Sequence, residues 1–413
     1  MNASLSRSIS TSARGWLLAL FVTATPAWAA SLEVTVTHDL ATARPSETIT
    51  VPWTEIARAI PGARLQHLAV RDAQDRSLPY QVTNIAPLAK DPKNLGVSYG
   101  ELIFQHDFTA GEKSATFRIE PIDGVAPPVP MLVFARAVPE RLDDFAWEND
   151  RLAHRIYGPA LGSPAPAGSG REVLVSSGLD IWCKRVRYPV VDRWYNKGHD
   201  HYHVDEGEGM DLYQVGASRG CGGTGVWDGK QLYVGRNYAT ARLIANGPIR
   251  AIFELTYEPW AANDIYVTEV KRFTVDAGHN LDRIESTFTA TGNRKELIIG
   301  IGLNKAPSDP GQNPKIDVTK SDAAGSLAQW IEQKSNGSLG TAVIVPTALA
   351  GFSGDERNEL VLAKVVPGQT ITYYAGAGWD RAGDFKDAPQ WNDYVAAMAA
   401  RVRSPVHITT AAK

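Results

Sequence analysis

Cysteine is scarce: only Cys183 and Cys221 occur in 413 residues. Two thiols cannot build a structural zinc site of the four-ligand type. They leave either one disulfide or two buried thiols. An excess of one charge is also missing. With 42 basic and 45 acidic residues the formal charge is −3, which argues against a protein that coats nucleic acid, since such proteins carry a basic surplus. Long apolar runs are absent beyond the first thirty residues, so no membrane span is expected there. Disorder is excluded by a hydrophobic content of 44%. A chain of this length buries a core without a metal or disulfide staple.

The N-terminus reads as a secretory signal. Arg7 and Arg14 precede the apolar stretch Gly15 to Val22, and Pro26-Ala27-Trp28-Ala29 supplies a small-x-small cleavage site. The expected product is a periplasmic or secreted protein starting after residue 29, with no membrane attachment. No paired arginine marks a twin-arginine signal, so general secretion is expected. Its oligomeric state is not legible from the sequence.

Short alternating segments rich in Val, Ile, Thr, Phe and Tyr recur along the whole chain, among them Leu32-Val34-Val36, Glu101 to His106, Ala115 to Ile119, Met131 to Phe134, Ile249 to Tyr257, Ile265 to Val275, Leu281 to Ala290 and Glu296 to Ile301. Asn246-Gly247, Asn336-Gly337 and Asp228-Gly229 suit tight hairpins. No βα alternation appears, which disfavours a parallel doubly wound sheet. One helix is expected, Trp391 to Val402, with Pro405 beyond its stop. Prolines crowd residues 121–139. The expected division is a signal at 1–29, an N-terminal β region at 30–140 and a larger β-sandwich at 141–413, bearing the candidate catalytic site.

The densest polar constellation lies between Asp180 and Gly225. His199, His201 and His203 stand at i, i+2 and i+4; on a strand all three project from one face. Asp205, Glu206, Glu208, Asp211 and Tyr213 follow. Such groups move protons near neutral pH. The same imidazoles suit a divalent metal; no other cofactor is indicated. Upstream, Asp180, Trp182 and Lys184 alternate, an acid, an indole and an ammonium for a sugar site. Arg155 and Tyr157 alternate likewise, and a guanidinium pairs bidentately with a uronate carboxylate. Trp379, in a Gly-rich strand end, offers a second stacking surface. Gly216-Ala217-Ser218-Arg219-Gly220 matches the nucleophile-elbow pattern, but the Gly-rich run after it cannot be the required helix.

The segments NDRLAHRIYGPAL, GLDIWCKRVRYP, WYNKGHDHYHVDEGEGMDLYQVGASRGCGG, NGPIRAIFELTY and AGAGW together resemble a bacterial domain-of-unknown-function family found in polysaccharide-utilisation gene clusters. The resemblance implies an all-β, antiparallel, galactose-mutarotase-like super-sandwich with a carbohydrate substrate. That fold is shared with aldose epimerases and polysaccharide lyases, and fold alone assigns no reaction. The favoured expectation is a lyase acting on uronate-containing glycans by β-elimination. Arg155 or Lys184 would neutralise the carboxylate, His201 or His203 would act as base, and Tyr213 would protonate the leaving oxygen. The alternatives are a glycoside hydrolase using Glu208 with Asp211 or Asp180 with Asp205, an aldose epimerase, and a non-catalytic glycan-binding protein presenting Trp182 and Trp379.

Overall fold

The computed structural model describes residues 30–83, 100–308 and 313–413; the expected signal at 1–29 lies outside them. The architecture is all-β and antiparallel, as the alternation predicts. Leu32–Thr37 pairs with both Ser114–Pro121 and the last strand, His407–Ala412. The chain therefore ends in the sheet where it began. Leu68–Arg71 and Ser77–Leu78 complete that sheet, and Arg44–Pro52, Glu101–Phe108 and Tyr80–Thr83 form a three-stranded one. A separate core, with Val34, Ile49, Phe104 and Phe117, fills this N-terminal region.

The larger region is built on an eight-stranded sheet. Its spatial order is Thr240–Asn246, Arg250–Ala262, Ile265–Asp276, Leu281–Ala290, Thr370–Trp379, Ser338–Ile344, Ser326–Glu332 and Lys315–Ser321. Two five-stranded sheets contribute the remaining sides of its core. One contains Cys221–Trp227, Leu297–Asn304 and Asn358–Val365. The other runs Phe134–Val138, Asp144–Glu148, Leu152–Ile156, Leu179–Lys184 and Gly209–Asp211. They touch at a parallel bridge between Leu179 and Gly220. Phe145, Ile181, Phe253, Phe273, Ile301 and Val343 share one continuous core.

All three turn dipeptides join paired neighbouring strands. Asn336 (φ 65°) and Gly337 (φ 83°) are both left-handed, as a type I′ turn requires. The strand expected at Met131 to Phe134 begins only at Phe134; ahead of it the Leu132 N–H donates to the Pro248 carbonyl instead of a ladder partner. Cys183 and Cys221 are buried free thiols, so the disulfide alternative does not apply.

The expected helix spans Ala388–Arg403, its start capped by Asp387, whose carboxylate accepts from the Gln390 N–H. It lies on the eight-stranded sheet by pressing Trp391 onto Gly340 and Gly378. A Cβ at Gly340 would stand 2.5 Å from the Trp391 ring. Gly340→Ala is thus expected to lower stability by about 1–3 kcal/mol through overpacking, read as a fall in Tm on thermal unfolding.

Candidate functional site

Strand alternation gives the Phe134–Asp211 sheet two unlike faces. Phe145, Trp147, Ile181, Cys183 and Met210 point into the main core. The opposite face carries Asp144, Glu148, Arg155, Asp180, Trp182, Lys184 and Asp211. This face is not open to solvent. The segment after the Leu179–Lys184 strand folds back as two short helices, Val191–Lys197 and His199–Tyr202, and Val191, Trp194 and Tyr202 pack over it. Charged residues are consequently trapped between sheet and cover.

Arg155 is the hub. Its Nε donates to Asp180 Oδ2 at 2.7 Å, its Nη2 to Asp211 Oδ2 at 2.9 Å and its Nη1 to the Tyr202 hydroxyl at 3.1 Å. The rings of Tyr157, Trp182 and Tyr202 stand 5.4–5.5 Å from its guanidinium carbon. Two buried carboxylates therefore share one cation. Burial, followed by the neighbouring Asp180 charge, pushes Asp211 well above the usual carboxylate range. Asp180 is raised by burial, with Arg155 opposing. Asp144, behind them, accepts from the Gly158 N–H and is pushed up by burial to about 6.

A cavity of about 290 Å³ opens beside this hub, lined by Arg141, Arg155, Tyr157, Glu172, His199, His203, Asp211 and Tyr213 among others. His203 Nδ1 lies 3.0 Å from the Asp211 carbonyl oxygen, a contact that fixes Nδ1–H as donor and leaves the lone pair on Nε2. Burial holds its pKa below the ordinary histidine value, so the ring is neutral at neutral pH. The Tyr213 hydroxyl is buried without a hydrogen-bond partner of normal geometry among the described residues. Burial raises its pKa well above the usual value, so it keeps its proton.

The histidine spacing needs correction. Residues 199–202 are helical, and a period of 3.6 rather than 2 governs them. His199 and His203 come together, ring centroids 4.8 Å apart. His201 points elsewhere, largely exposed and near Glu206. The three imidazoles therefore cannot converge on a metal, and among the described residues no group of three or more His, Cys, Asp or Glu is placed to hold one.

Five further expected residues lie away from the cavity. Lys184 is a buried ion-pair partner, its Nζ donating to Glu148 Oε2 at 2.7 Å and to the Asn149 carbonyl at 2.6 Å. Trp182 is fully buried, stacked between Trp194 and Tyr202, and offers no platform to a sugar. Trp379 is buried too, its indole N–H donating to the Asn336 carbonyl. Glu208 belongs to an outer network with Tyr188, Arg193 and Trp194. Asp205 is held by Arg185 and Arg381. Neither proposed carboxylate pair, Glu208 with Asp211 or Asp180 with Asp205, is therefore gathered on one cavity. Ser218 stabilises a turn, donating to the Val215 carbonyl and accepting from the Gly220 N–H. Sequence reasoning missed Arg141 and Glu172. Only the alternation of Asp144, Ala146 and Glu148 hinted at the polar face above them.

The site thus defines a class: an antiparallel β-sandwich protein with a buried network of charged residues under a helical cover. The chain belongs to the family described as Domain of unknown function (DUF4861), which matches residues 36–408. It is 28% identical over 389 residues to "Uncharacterized protein P7" of Formosa agariphila, covering 91% of this chain and 92% of the relative. Two solved structures from Enterococcus faecalis are similar over 92% of this chain at 9% identity. One is an alpha-mannosidase (TM-score 0.43), the other a protein in the glycosyl hydrolase family 38 (TM-score 0.42). The chain spans about half their length, at 46% and 47%. Among the described residues no helix is long and apolar enough to cross a membrane.

Proposed function

We propose that this protein is an exported enzyme that cleaves uronate-containing glycans by β-elimination, working from a galactose-mutarotase-like sandwich. The observation that carries the reading is the pairing, on one cavity wall set, of a neutral His203 with a protonated Tyr213 beside Arg141. Arg155 spends its donors on Asp180, Asp211 and Tyr202, so it organises the site rather than receiving substrate. Arg141 is the cation left to meet a uronate carboxylate.

In the step itself, His203 Nε2 removes the C5 proton and its electron pair forms the C4=C5 double bond. The C4–O bond breaks, and the departing oxygen takes the Tyr213 proton. Proton return from His203 to Tyr213 through solvent resets the site. The test is the purified protein on a panel of uronate-rich polysaccharides. Elimination gives an unsaturated, ultraviolet-absorbing product lighter by one water than the hydrolysis product. His203→Gln and Tyr213→Phe are each expected to lower kcat by about 10²- to 10⁴-fold, the usual share of general acid–base catalysis. Unchanged turnover in both variants would remove the assignment.

A second reading, a glycoside hydrolase, draws on one observation: Asp211, pushed up and able to act as an acid, shares the cavity wall with the carboxylate of Glu172. New reducing ends without ultraviolet absorbance would favour it. Neither mechanism is routed through a metal.

A further inference from the structure

Arg141 and Glu172 come from separate stretches of chain and meet at the cavity. Arg141 ends a 3₁₀ turn, Pro139–Arg141, followed by Leu142 in the left-handed region. Glu172 follows the Gly/Pro/Ser-rich loop of residues 161–170. Arg141 Nη2 donates to Glu172 Oε2 at 2.6 Å. The two partners are unlike in exposure: the Arg141 side chain is 17% accessible and that of Glu172 is 53%. The backbone beneath Glu172 is pinned, because Arg171 donates to the carbonyls of Ala160, Ser163 and Pro164. Arg141 is fixed by its burial and by the attraction of Asp144 and Tyr202. The carboxylate of Glu172 is therefore the movable half of the pair.

The ion pairs on the wall point the same way. Arg141 and Arg155 supply two positive charges. Asp180 and Asp211 occupy Arg155 at 2.7 Å and 2.9 Å, and Glu172 occupies Arg141 at 2.6 Å. Glu172 is thus the carboxylate that meets Arg141 at the cavity. An arriving carboxylate takes that place on Arg141 when the half-exposed Glu172 swings out to water. A neutral sugar has nothing to offer Arg141 in exchange.

We infer that Glu172 is an internal counter-ion that a substrate carboxylate displaces from Arg141, which makes the cavity selective for acidic sugars. This rests on the uronate reading above and deepens it. The binding of methyl glycosides of galacturonate and glucuronate, against those of galactose and glucose, is to be measured by calorimetry. The proteins are the wild type, Glu172→Gln, Glu172→Asp, Arg141→Gln and the surface control Glu206→Gln. Glu172→Gln is expected to bind the uronides two- to fivefold more tightly, the factor that an exposed ion pair of up to about 1 kcal/mol represents. Its affinity for neutral glycosides should not move. Glu172→Asp, whose carboxylate is one methylene shorter, should fall between wild type and Glu172→Gln, Glu206→Gln should behave as wild type, and Arg141→Gln should lose the preference for acid.

Equal or weaker uronide binding by Glu172→Gln, or no uronide binding by any of the proteins, overturns the inference. Thermal unfolding of each variant separates a binding change from a folding defect. If Glu172→Gln tightens uronide binding while no uronate polymer yields an unsaturated product, the counter-ion role stands and elimination falls. If elimination proceeds and Glu172→Gln leaves affinity unchanged, the reverse holds.

Discussion

Replacing Arg155 with methionine is expected to cost about 3–5 kcal/mol of folding stability and to abolish turnover, because it leaves buried carboxylates without their shared cation. Methionine matches much of the stem, so lost packing among Tyr157, Trp182 and Tyr202 is a minor part of the effect. The dominant part is Asp180 and Asp211, both nearly inaccessible, facing each other with no counter-charge. Two consequences distinguish this from a generic packing defect. Because a lone carboxylic acid is tolerated far better than a carboxylate, the deficit should shrink as pH falls. It should also shrink when Asp180→Asn and Asp211→Asn are added, since both halves of a buried network are then gone. Thermal unfolding across pH for the single and triple variants reads both. A pH-independent deficit that the triple variant does not relieve would refute the shared-cation account.

The second large effect concerns the other face of the same sheet. Trp147 and His154 stack at 5.2 Å, the Trp147 N–H donates to Asp282 Oδ2 at 2.7 Å, and His154 Nε2 stands 3.7 Å from that oxygen. His154 Nδ1 lies 3.2 Å from the Asp180 carbonyl, which ties this buried group to the strand bearing the site. Burial pushes Asp282 up from 3.8 to about 7 and pulls His154 down to about 4. For Asp282 the folded protein holds a proton that the unfolded chain has already released. Its contribution is present in full below the unfolded pKa and fades as pH rises through about 7. A shift of this size represents roughly 4 kcal/mol lost between about pH 4 and 7. Asp144, raised to about 6, acts in the same direction.

Asp282→Asn keeps an acceptor for Trp147 and removes the titration. The variant should therefore match wild type near pH 4 and exceed it near pH 8, by up to about 4 kcal/mol. Chemical denaturation at both pH values is the check. Parallel profiles for the two proteins between those limits would mean that Asp282 ionises in the fold without penalty.

Several features were legible in the residues because they depend on local chemistry. Alternation placed Asp180, Trp182 and Lys184 on one strand face; strand pairing, not alternation, set Arg155 opposite Asp180. The three turn dipeptides and the C-terminal helix carry their own stereochemical signals, and long shared motifs carried the family. The histidine run misled because an alternation of two was read where the chain forms two short helices. Gly198, at φ 94°, ends one short helix just before His199 begins the next.

By itself, then, the sequence determined an antiparallel β protein, its strand faces and the neighbourhood of its polar centre, since each follows from side-chain period and turn chemistry. Only the tertiary structure decided which polar residues meet a cavity. Whether the strand face met water or protein depended on the fold-back of residues 190–203. That cover buries Trp182, confines Arg155 among carboxylates and turns His203 inward, while Arg141 and Glu172 meet from stretches thirty-one positions apart. Burial sets which of these groups keep or lose a proton, and burial is a property of the assembled layers, not of any short stretch of chain.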